Sequence, residues 1–274
     1  MIEIAISLAV IGFALAAVVG VLPLGMRVQK QNREETIINQ DVLVLMEAIR
    51  HGAQGLDDLT NYVFAITNTA TQWGPKGPSG APVQRYWYTP TGSSASPAFP
   101  INTGARIIGL LSTPTYLPAD NQGLYWSNHV VAYVRSMSGP ASEKFPQNNR
   151  DVQDLAFSYR LTPEVVTYTT NYVDPSWLVY PGYPANSPNA VAWTNYVKAV
   201  LNLSLNVHDV RLTFRWPLLA RNAPGPGQQS FRTVVGGYLQ LTNEPGFLKP
   251  LPGQPSPYAL YFFQPRTYVN ASVP

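Results

Sequence analysis

Residues 1–26 of this 274-residue chain form an apolar stretch that carries one charged side chain, Glu3. Between Ile4 and Met26 no side chain is ionisable. A helix over this range is long enough to cross the hydrocarbon layer of a bilayer, which takes about 20 apolar residues. The sequence therefore predicts an N-terminal helix that enters a membrane phase.

Glu3 needs a physical reason, because a carboxylate in an apolar helix is costly to desolvate unless it finds a partner. In one interpretation it lies at the headgroup level, solvated, or stabilises the helix N-terminus. In the other it compensates a positive charge that arrives when subunits pack together. The composition of the stretch does not separate these two interpretations.

The segment MIEIAISLAVIG resembles the N-terminal segment of type IV pilins and type II secretion pseudopilins. The resemblance rests on Glu3 near the start, on small residues at Ala5, Ser7 and Ala9, and on Gly12 nine positions after the glutamate. It implies that a leader peptide is cleaved, that the new N-terminus is methylated, and that the glutamate pairs with the terminal amine of a neighbouring subunit. Glu3 is the matching position here.

Two positions differ from the pilin pattern. The chain starts at Met1 without the basic leader and processing glycine of the family, so we expect a few residues to precede it. Gly20 stands where pilins usually carry a proline, and Pro23 follows three residues later. Because proline removes a backbone donor and clashes with the preceding turn, the sequence predicts a break or kink between Gly20 and Pro23. Outside this family, an ordinary signal anchor is the main alternative.

The helical pattern continues past the apolar stretch. One apolar stripe runs through Ile38, Val42, Leu45 and Ile49, so we expect a single helix over residues 2–50. The half of this helix that follows the apolar stretch should pack on a globular domain. The residues predicted to lie on its other faces are Arg33, Glu34, Glu35, Asp41 and Glu47.

Stop signals follow at Gly52 and Gly55. Asp57 or Asp58 can then cap a short second helix. The apolar residues predicted for that helix are Leu59, Val63 and Ile66.

The remainder of the chain has the composition of a β-rich domain. The 26 prolines and 20 glycines favour tight turns and long ordered loops, and aromatic residues at 12% suit pleated surfaces. The predicted strands are 85–89, 106–111, 128–136, 154–161, 206–216, 230–241 and 258–264. In the fifth of these, Val210, Leu212, Phe214 and Trp216 alternate with polar residues, which predicts a central strand with one buried face.

We therefore expect an α+β fold in which a long N-terminal α-helix packs on a β-rich, mainly antiparallel domain with long Pro/Gly-rich loops. Residues 1–55 form the helical part, of which 1–26 are the membrane or filament-core half, and residues 56–274 form the globular domain. The Pro-rich end, residues 245–274, is either an edge that covers the sheet or an arm that bridges to adjacent subunits.

The chain offers few groups for catalysis or metal binding, so we predict that it is not an enzyme. Cysteine is absent, and His51, His129 and His208 lack partners at zinc-like spacing, except for His208 with Asp209. Because these two are adjacent on a strand, they are predicted to point to opposite faces. The sequence predicts no cofactor, and the one metal site it leaves open is for calcium, through Asp151 and Asp154 near Asn148 and Asn149. Charged residues are scarce at 12%, and no basic run suits nucleic acid.

The resemblance and the residues together favour a structural subunit of an extracellular pilus-like filament. Such a subunit sits in the inner membrane until the pilus or secretion machinery assembles it with identical or homologous subunits. The alternatives are a minor pilin, a secretion pseudopilin in the periplasm and, less favoured, a membrane-anchored binding domain or enzyme. The predicted assembly residues are Glu3, Ala5, Ser7, Ala9, Gly12, Ala16, Gly20 and Pro23.

Overall fold

A computed structural model describes residues 2–90, 98–119, 123–138, 157–169, 187–243, 251 and 253–270. It contains an N-terminal helix followed by a mixed, mostly antiparallel sheet, so the predicted α+β class is confirmed. The helices are α1 (Ile2–Arg50), α2 (Gly104–Leu111) and α3 (Pro188–Asn206). The strands are β1 (Val63–Gly74), β2 (Gly77–Pro78), β3 (Gln84–Thr89), β4 (Ala98–Pro100), β5 (Tyr125–Arg135), β6 (Ser158–Thr167), β7 (Val207–Leu218), β8 (Pro224–Gly236), β9 (Tyr238–Asn243) and β10 (Ala259–Gln264).

Helix α1 is a single element of 49 residues, as predicted. It continues without a break through Gly20 and Pro23, so a break there is wrong, whereas a kink stays a prediction. A proline costs one backbone hydrogen bond, and the apolar turns on either side of Pro23 keep theirs. We call residues 2–26 of α1 its outer half and residues 27–50 its inner half.

The predicted end of α1 is confirmed. Gly52 has a φ of +58°, in the left-handed region that glycine adopts at helix C-termini. A Cβ built there would lie 2.2 Å from the carbonyl oxygen of Phe263. Gly52 thus ends the helix and lets the backbone approach β10.

The inner half of α1 carries the predicted apolar stripe, since Ile38, Val42, Leu45 and Ile49 are all buried. Asp41 and Glu34 were expected on other faces of the helix, and that prediction is wrong for both. Asp41 and Glu34 are both buried. The surface that covers α1 is wider than the stripe, so it encloses the polar positions beside it as well.

Seven strands form a continuous path in the order β4-β3-β1-β5-β6-β7-β8, and β2 pairs with β1. Every pair in this sheet is antiparallel except β3 with β4. Strand β7 lies inside the sheet, between β6 and β8. Its predicted buried row, Val210, Leu212, Phe214 and Trp216, is at most 3% exposed.

The inner face of the sheet packs on α1, α2 and β10, and one core cluster joins all of these elements. Tyr159 and Phe214 contact each other in this cluster, with ring centroids 5.2 Å apart. We call the opposite side of the sheet its outer face. The outer face carries the polar rows of β6, β7 and β8.

Two predicted elements have a different secondary structure. Residues 106–111, predicted as a strand, belong to α2, because Thr103 caps its N-terminus and every residue from Arg106 to Leu111 is buried. The short second helix is only a 3-10 turn, Asp57–Asn61, and β1 follows at once. Asp57 caps a different helix: its Oδ1 accepts a hydrogen bond from Gly104 N at 2.8 Å.

The predicted strand 230–241 is divided into β8 and β9 by Gly237, which has a φ of +116°. A Cβ at Gly237 would lie 2.4 Å from the carbonyl oxygen of Gln264. This turn moves the chain into a second sheet, where β9 pairs with β10. Strand β10 was predicted within 258–264, and its core residues are the most buried part of the C-terminal segment.

Helix α3 was not predicted. Its signals are present in the sequence, since Ser187 accepts a hydrogen bond from Ala190 N at 3.2 Å and Pro188 occupies the first turn. Serine followed by proline is a typical helix start. Strand β1 was also missed.

Candidate functional site

All eight predicted assembly residues lie on the outer half of α1, and all are exposed. The most apolar window of α1 has a mean hydropathy of 2.7, and none of it is buried against the described chain. The helix is long and apolar enough to be a membrane span or a signal sequence. The length and apolar surface of α1 agree with the prediction that the chain is located at a membrane before assembly.

Helix geometry brings six of these residues together. Their steps along the chain are four, three, four, four and three residues. At 3.6 residues per turn such steps keep all six within an arc of roughly 80°. We call this set the small-residue stripe: Ala5, Ala9, Gly12, Ala16, Gly20 and Pro23. Glu3 and Ser7 lie on another side of the helix.

The glycines of the outer half have no packing partner in the described chain. A Cβ built on Gly12, Gly20 or Gly25 meets nothing within 4 Å. Glycine inside a helix is about 1 kcal/mol less favourable than alanine. No intramolecular contact of the described residues therefore explains these glycines, whereas close approach of a second helix would.

Glu3 and Ser7 differ in how their polar groups are satisfied. The Ser7 hydroxyl donates a hydrogen bond to the backbone carbonyl of Glu3, at 2.8 Å. The Glu3 carboxylate has no hydrogen bond or ion pair with any residue that the structure describes. The next cation along the helix is Arg27, about 36 Å away at 1.5 Å per residue.

Asp41 fixes the inner half of α1 to the sheet. Its carboxylate accepts hydrogen bonds from the backbone N–H groups of Met137 and Ser138, both at 2.9 Å, and from the Tyr159 hydroxyl at 3.1 Å. Burial raises the pKa of Asp41, and these hydrogen bonds partly oppose that shift. The acid thus joins α1 to the end of β5 and to β6.

Sequence reasoning missed the role of Asp41, although a signal existed. Asp41 is three residues after Ile38 and four before Leu45. Both spacings place it beside the buried stripe of an α-helix. An acid at such a position needs buried donors, and two backbone N–H groups supply them here.

The histidines do not form a metal site with the residues in the described ranges. His51 and His129 are exposed, and His208 is buried against the ring of Phe263, with centroids 5.3 Å apart. His208 and Asp209 point to opposite faces of β7, as predicted. Across the described residues no three metal-ligating side chains come together. The calcium candidates Asn148, Asn149, Asp151 and Asp154 lie outside those residues.

Burial also controls the acid–base behaviour of His208. Its ring is 6% exposed, and burial lowers its pKa to about 4. The pKa of His129 is lowered as well, first because neighbouring groups cover part of its ring, although the residue is exposed overall, and second by the charge of Arg160. Both rings are therefore neutral at pH 7.

No protein-family model, curated protein or solved structure matches this chain. Three features of the chain bear on its role: the exposed outer half of α1, the small-residue stripe and the Glu3 carboxylate.

Proposed function

We propose that this chain is a subunit of an extracellular type IV pilus-like filament. In this proposal α1 holds the subunit in the inner membrane before assembly. The helix then leaves the bilayer and packs with the α1 helices of other subunits to form the filament core. The observation that carries the proposal is the exposed outer half of α1 with its small-residue stripe.

The energetics of such assembly require specific helix contacts. Lipid tails are as apolar as the side chains of α1, so the hydrophobic effect does not favour leaving the bilayer. Close packing and polar pairing must supply the gain. The small-residue stripe permits close backbone approach, and Glu3 provides a charge that a neighbouring terminal amine neutralises.

The way in which the globular domain is attached to α1 supports different roles for the two halves of this helix. Asp41 and the apolar stripe around Leu45 tie the inner half of α1 to the sheet. The outer half contacts none of the described domain, so it is free to meet other helices over its whole length. Residues 56–274 then form the outer surface of the filament.

The test is assembly in a host that carries the pilus machinery. Glu3→Gln keeps the size of the side chain and removes its charge, so we expect at least about a tenfold loss of incorporated subunits if a buried pair is lost. The matched control is Glu47→Gln, because Glu47 is an exposed glutamate on the same helix. It should assemble normally.

A second pair of variants tests the small-residue stripe. Gly12→Leu adds a bulky side chain on the stripe, whereas Val18→Leu adds one carbon on the opposite side of the helix. We expect the first to block assembly and the second to be tolerated. Sheared appendages are imaged, and their subunit is identified by N-terminal sequencing.

Three results would contradict the proposal: wild-type assembly of both Glu3→Gln and Gly12→Leu, a native chain that stays a monomer in the membrane, or appendages that lack it. Copy number per appendage separates a major from a minor subunit. Recovery from the periplasm instead of the surface assigns a pseudopilus.

A further inference from the structure

Two arginine pairs stand side by side on the outer face of the sheet. Arg160 on β6 lies directly opposite Arg215 on β7. Four residues away along β7, with one row of the outer face between them, Arg211 lies directly opposite Arg232 on β8. Side chains opposite each other in antiparallel strands are about 5 Å apart at Cβ, and like charges there are unfavourable.

The Arg211–Arg232 pair is neutralised within the chain. Arg211 Nη1 lies 3.4 Å from Glu164 Oε2, and Arg232 Nε lies 2.8 Å from Asp209 Oδ1. Each guanidinium thus has one carboxylate. The side chains of Arg211 and Glu164 are 47% and 46% exposed, so this face is open to solvent.

The Arg160–Arg215 pair has no such compensation from the residues that the structure describes. Neither side chain forms an ion pair with any carboxylate in the ranges that the structure describes. The Nε atoms of both arginines are enclosed by neighbouring side chains and have no hydrogen-bond acceptor. Buried donors are nearly always satisfied in folded proteins, so this arrangement calls for an acceptor that the described residues do not supply.

The neighbours of this pair suit an anion that bears several oxygens. Tyr133 lies opposite Arg160 on β5, and Gln228 lies opposite Arg215 on β8. The next row of the outer face consists of hydroxyl groups, with Thr213 Oγ1 2.8 Å from Ser230 Oγ. Guanidinium, hydroxyl and amide groups are the donors that recognise phosphate and sulfate oxygens.

We propose that Arg160 and Arg215 bind a doubly charged tetrahedral oxyanion, a phosphate or sulfate group. A carboxylate neutralises one guanidinium, as Glu164 and Asp209 each do. Two adjacent guanidinium groups match a dianion, and each can donate two parallel N–H···O bonds to it. Because the outer face is open, the group can be a free ion or part of a polymer.

This site is independent of filament assembly, because it lies on the sheet and uses no residue of α1. It can be tested with the full-length chain in a non-ionic detergent. Calorimetric titration with sodium sulfate, sodium phosphate and sodium acetate at constant ionic strength compares the anions. Dextran sulfate serves as the polymer-borne probe.

We expect saturable binding of sulfate and phosphate, with acetate at least about tenfold weaker. Arg160→Gln and Arg215→Gln should each weaken sulfate binding at least about tenfold. The matched control is Arg85→Gln, which removes one positive charge from the same outer face on the distant strand β3. It should change the affinity by less than about twofold.

A stability measurement separates this role from a structural one. In chloride alone, Arg160→Gln and Arg215→Gln should melt at or above the wild-type temperature, because each relieves a like-charge contact. Sulfate should raise the melting temperature of the wild type and leave both variants unchanged. Tighter binding of dextran sulfate than of sulfate, per site, assigns a polymer-borne group, and equal binding assigns the free ion.

The proposal is overturned if neither sulfate nor phosphate binds saturably, or if acetate binds as tightly as sulfate. It also fails if Arg85→Gln weakens sulfate binding as much as Arg215→Gln does. A lower melting temperature of both arginine variants in chloride would assign them a structural role instead.

Discussion

His208 and Asp41 show how burial sets the protonation of single residues in this fold. His208 loses its aqueous surroundings to Phe263 and neighbouring apolar groups, which lowers its pKa. Asp41 is buried too, and its pKa is raised although three donors point at it. Burial disfavours the charged form in both cases, so the two pKa values move in opposite directions.

The pH dependence of the free energy of unfolding should reveal the titration of His208. Its pKa is about 4 in the folded protein, whereas the ordinary histidine value of 6.5 applies to the unfolded chain. The unfolded chain therefore binds the proton more tightly. Stability is therefore full above pH 6.5 and falls as the pH drops toward 4, by up to about 3 kcal/mol. Denaturant unfolding at successive pH values measures this loss.

Replacement of His208 separates its contribution from those of other groups. His208→Phe keeps an aromatic ring and removes the titration, so it should flatten most of the fall between pH 6.5 and 4. His129 shifts in the same direction and accounts for a smaller remainder. His51→Gln, at the exposed end of α1, is the control. An unchanged profile in His208→Phe would contradict the assignment.

At the scale of elements, the junction between α1 and the sheet depends on one side chain. Both Asp41 oxygens are used, since Met137 N and Tyr159 Oη bond to Oδ2 and Ser138 N bonds to Oδ1. These donors hold the end of β5 against the helix. Removing an acceptor would leave a buried N–H group without a partner.

Asp41→Asn should therefore destabilise the domain. An amide keeps one oxygen and turns the other acceptor into a donor that faces a backbone N–H, at a cost of about 1–3 kcal/mol. Urea unfolding of the full chain in detergent micelles measures the difference. The control is Asp58→Asn, at an exposed acid of the following turn. Equal stability of Asp41→Asn and wild type would show that the hydrogen bonds contribute nothing net.

The elements differ in how far local patterns predict them. Helix α1 and the alternating strand β7 were predicted because Ile38, Val42, Val210 and Leu212 follow the periods of helix and strand. Residues 106–111 were misassigned because Ile107 and Ile108 are β-branched, a strand preference that the buried setting of α2 overrides. Propensity is a weak prior when a short segment is enclosed on all sides.

At the scale of the whole molecule, the C-terminal segment closes the core. Residues Tyr261, Phe262 and Phe263 of β10 are at most 8% exposed. The carbonyl of Phe263 meets Gly52 at the end of α1, and α2 packs on the same strand at Gly109. The described part of the segment thus fits the interpretation in which it covers the sheet. An arm formed by its other residues stays a prediction.

Deletion of residues 250–274 should prevent stable folding. Each large apolar side chain of β10 contributes about 1.5–3 kcal/mol by burial, and a domain has only about 5–15 kcal/mol to lose. Near-ultraviolet circular dichroism and limited proteolysis detect the loss of packing. Deletion of residues 271–274 retains β10 and is the control. A truncated chain that resists protease like the wild type would show that β10 is dispensable.

Local sequence determined the elements whose signal lies within one helix or strand: the length and polarity of α1, the stripe around Leu45, the stop at Gly52 and the buried row of β7. It also determined the arrangement of the small residues, because helical periodicity alone brings them to one stripe. The position of Glu3 near the start of α1 follows from the sequence in the same way. Tertiary structure alone decided the burial of Asp41, the helical state of α2 and the meeting of Arg160 with Arg215. These depend on strand register and on contacts between residues distant in the chain, which no local period encodes.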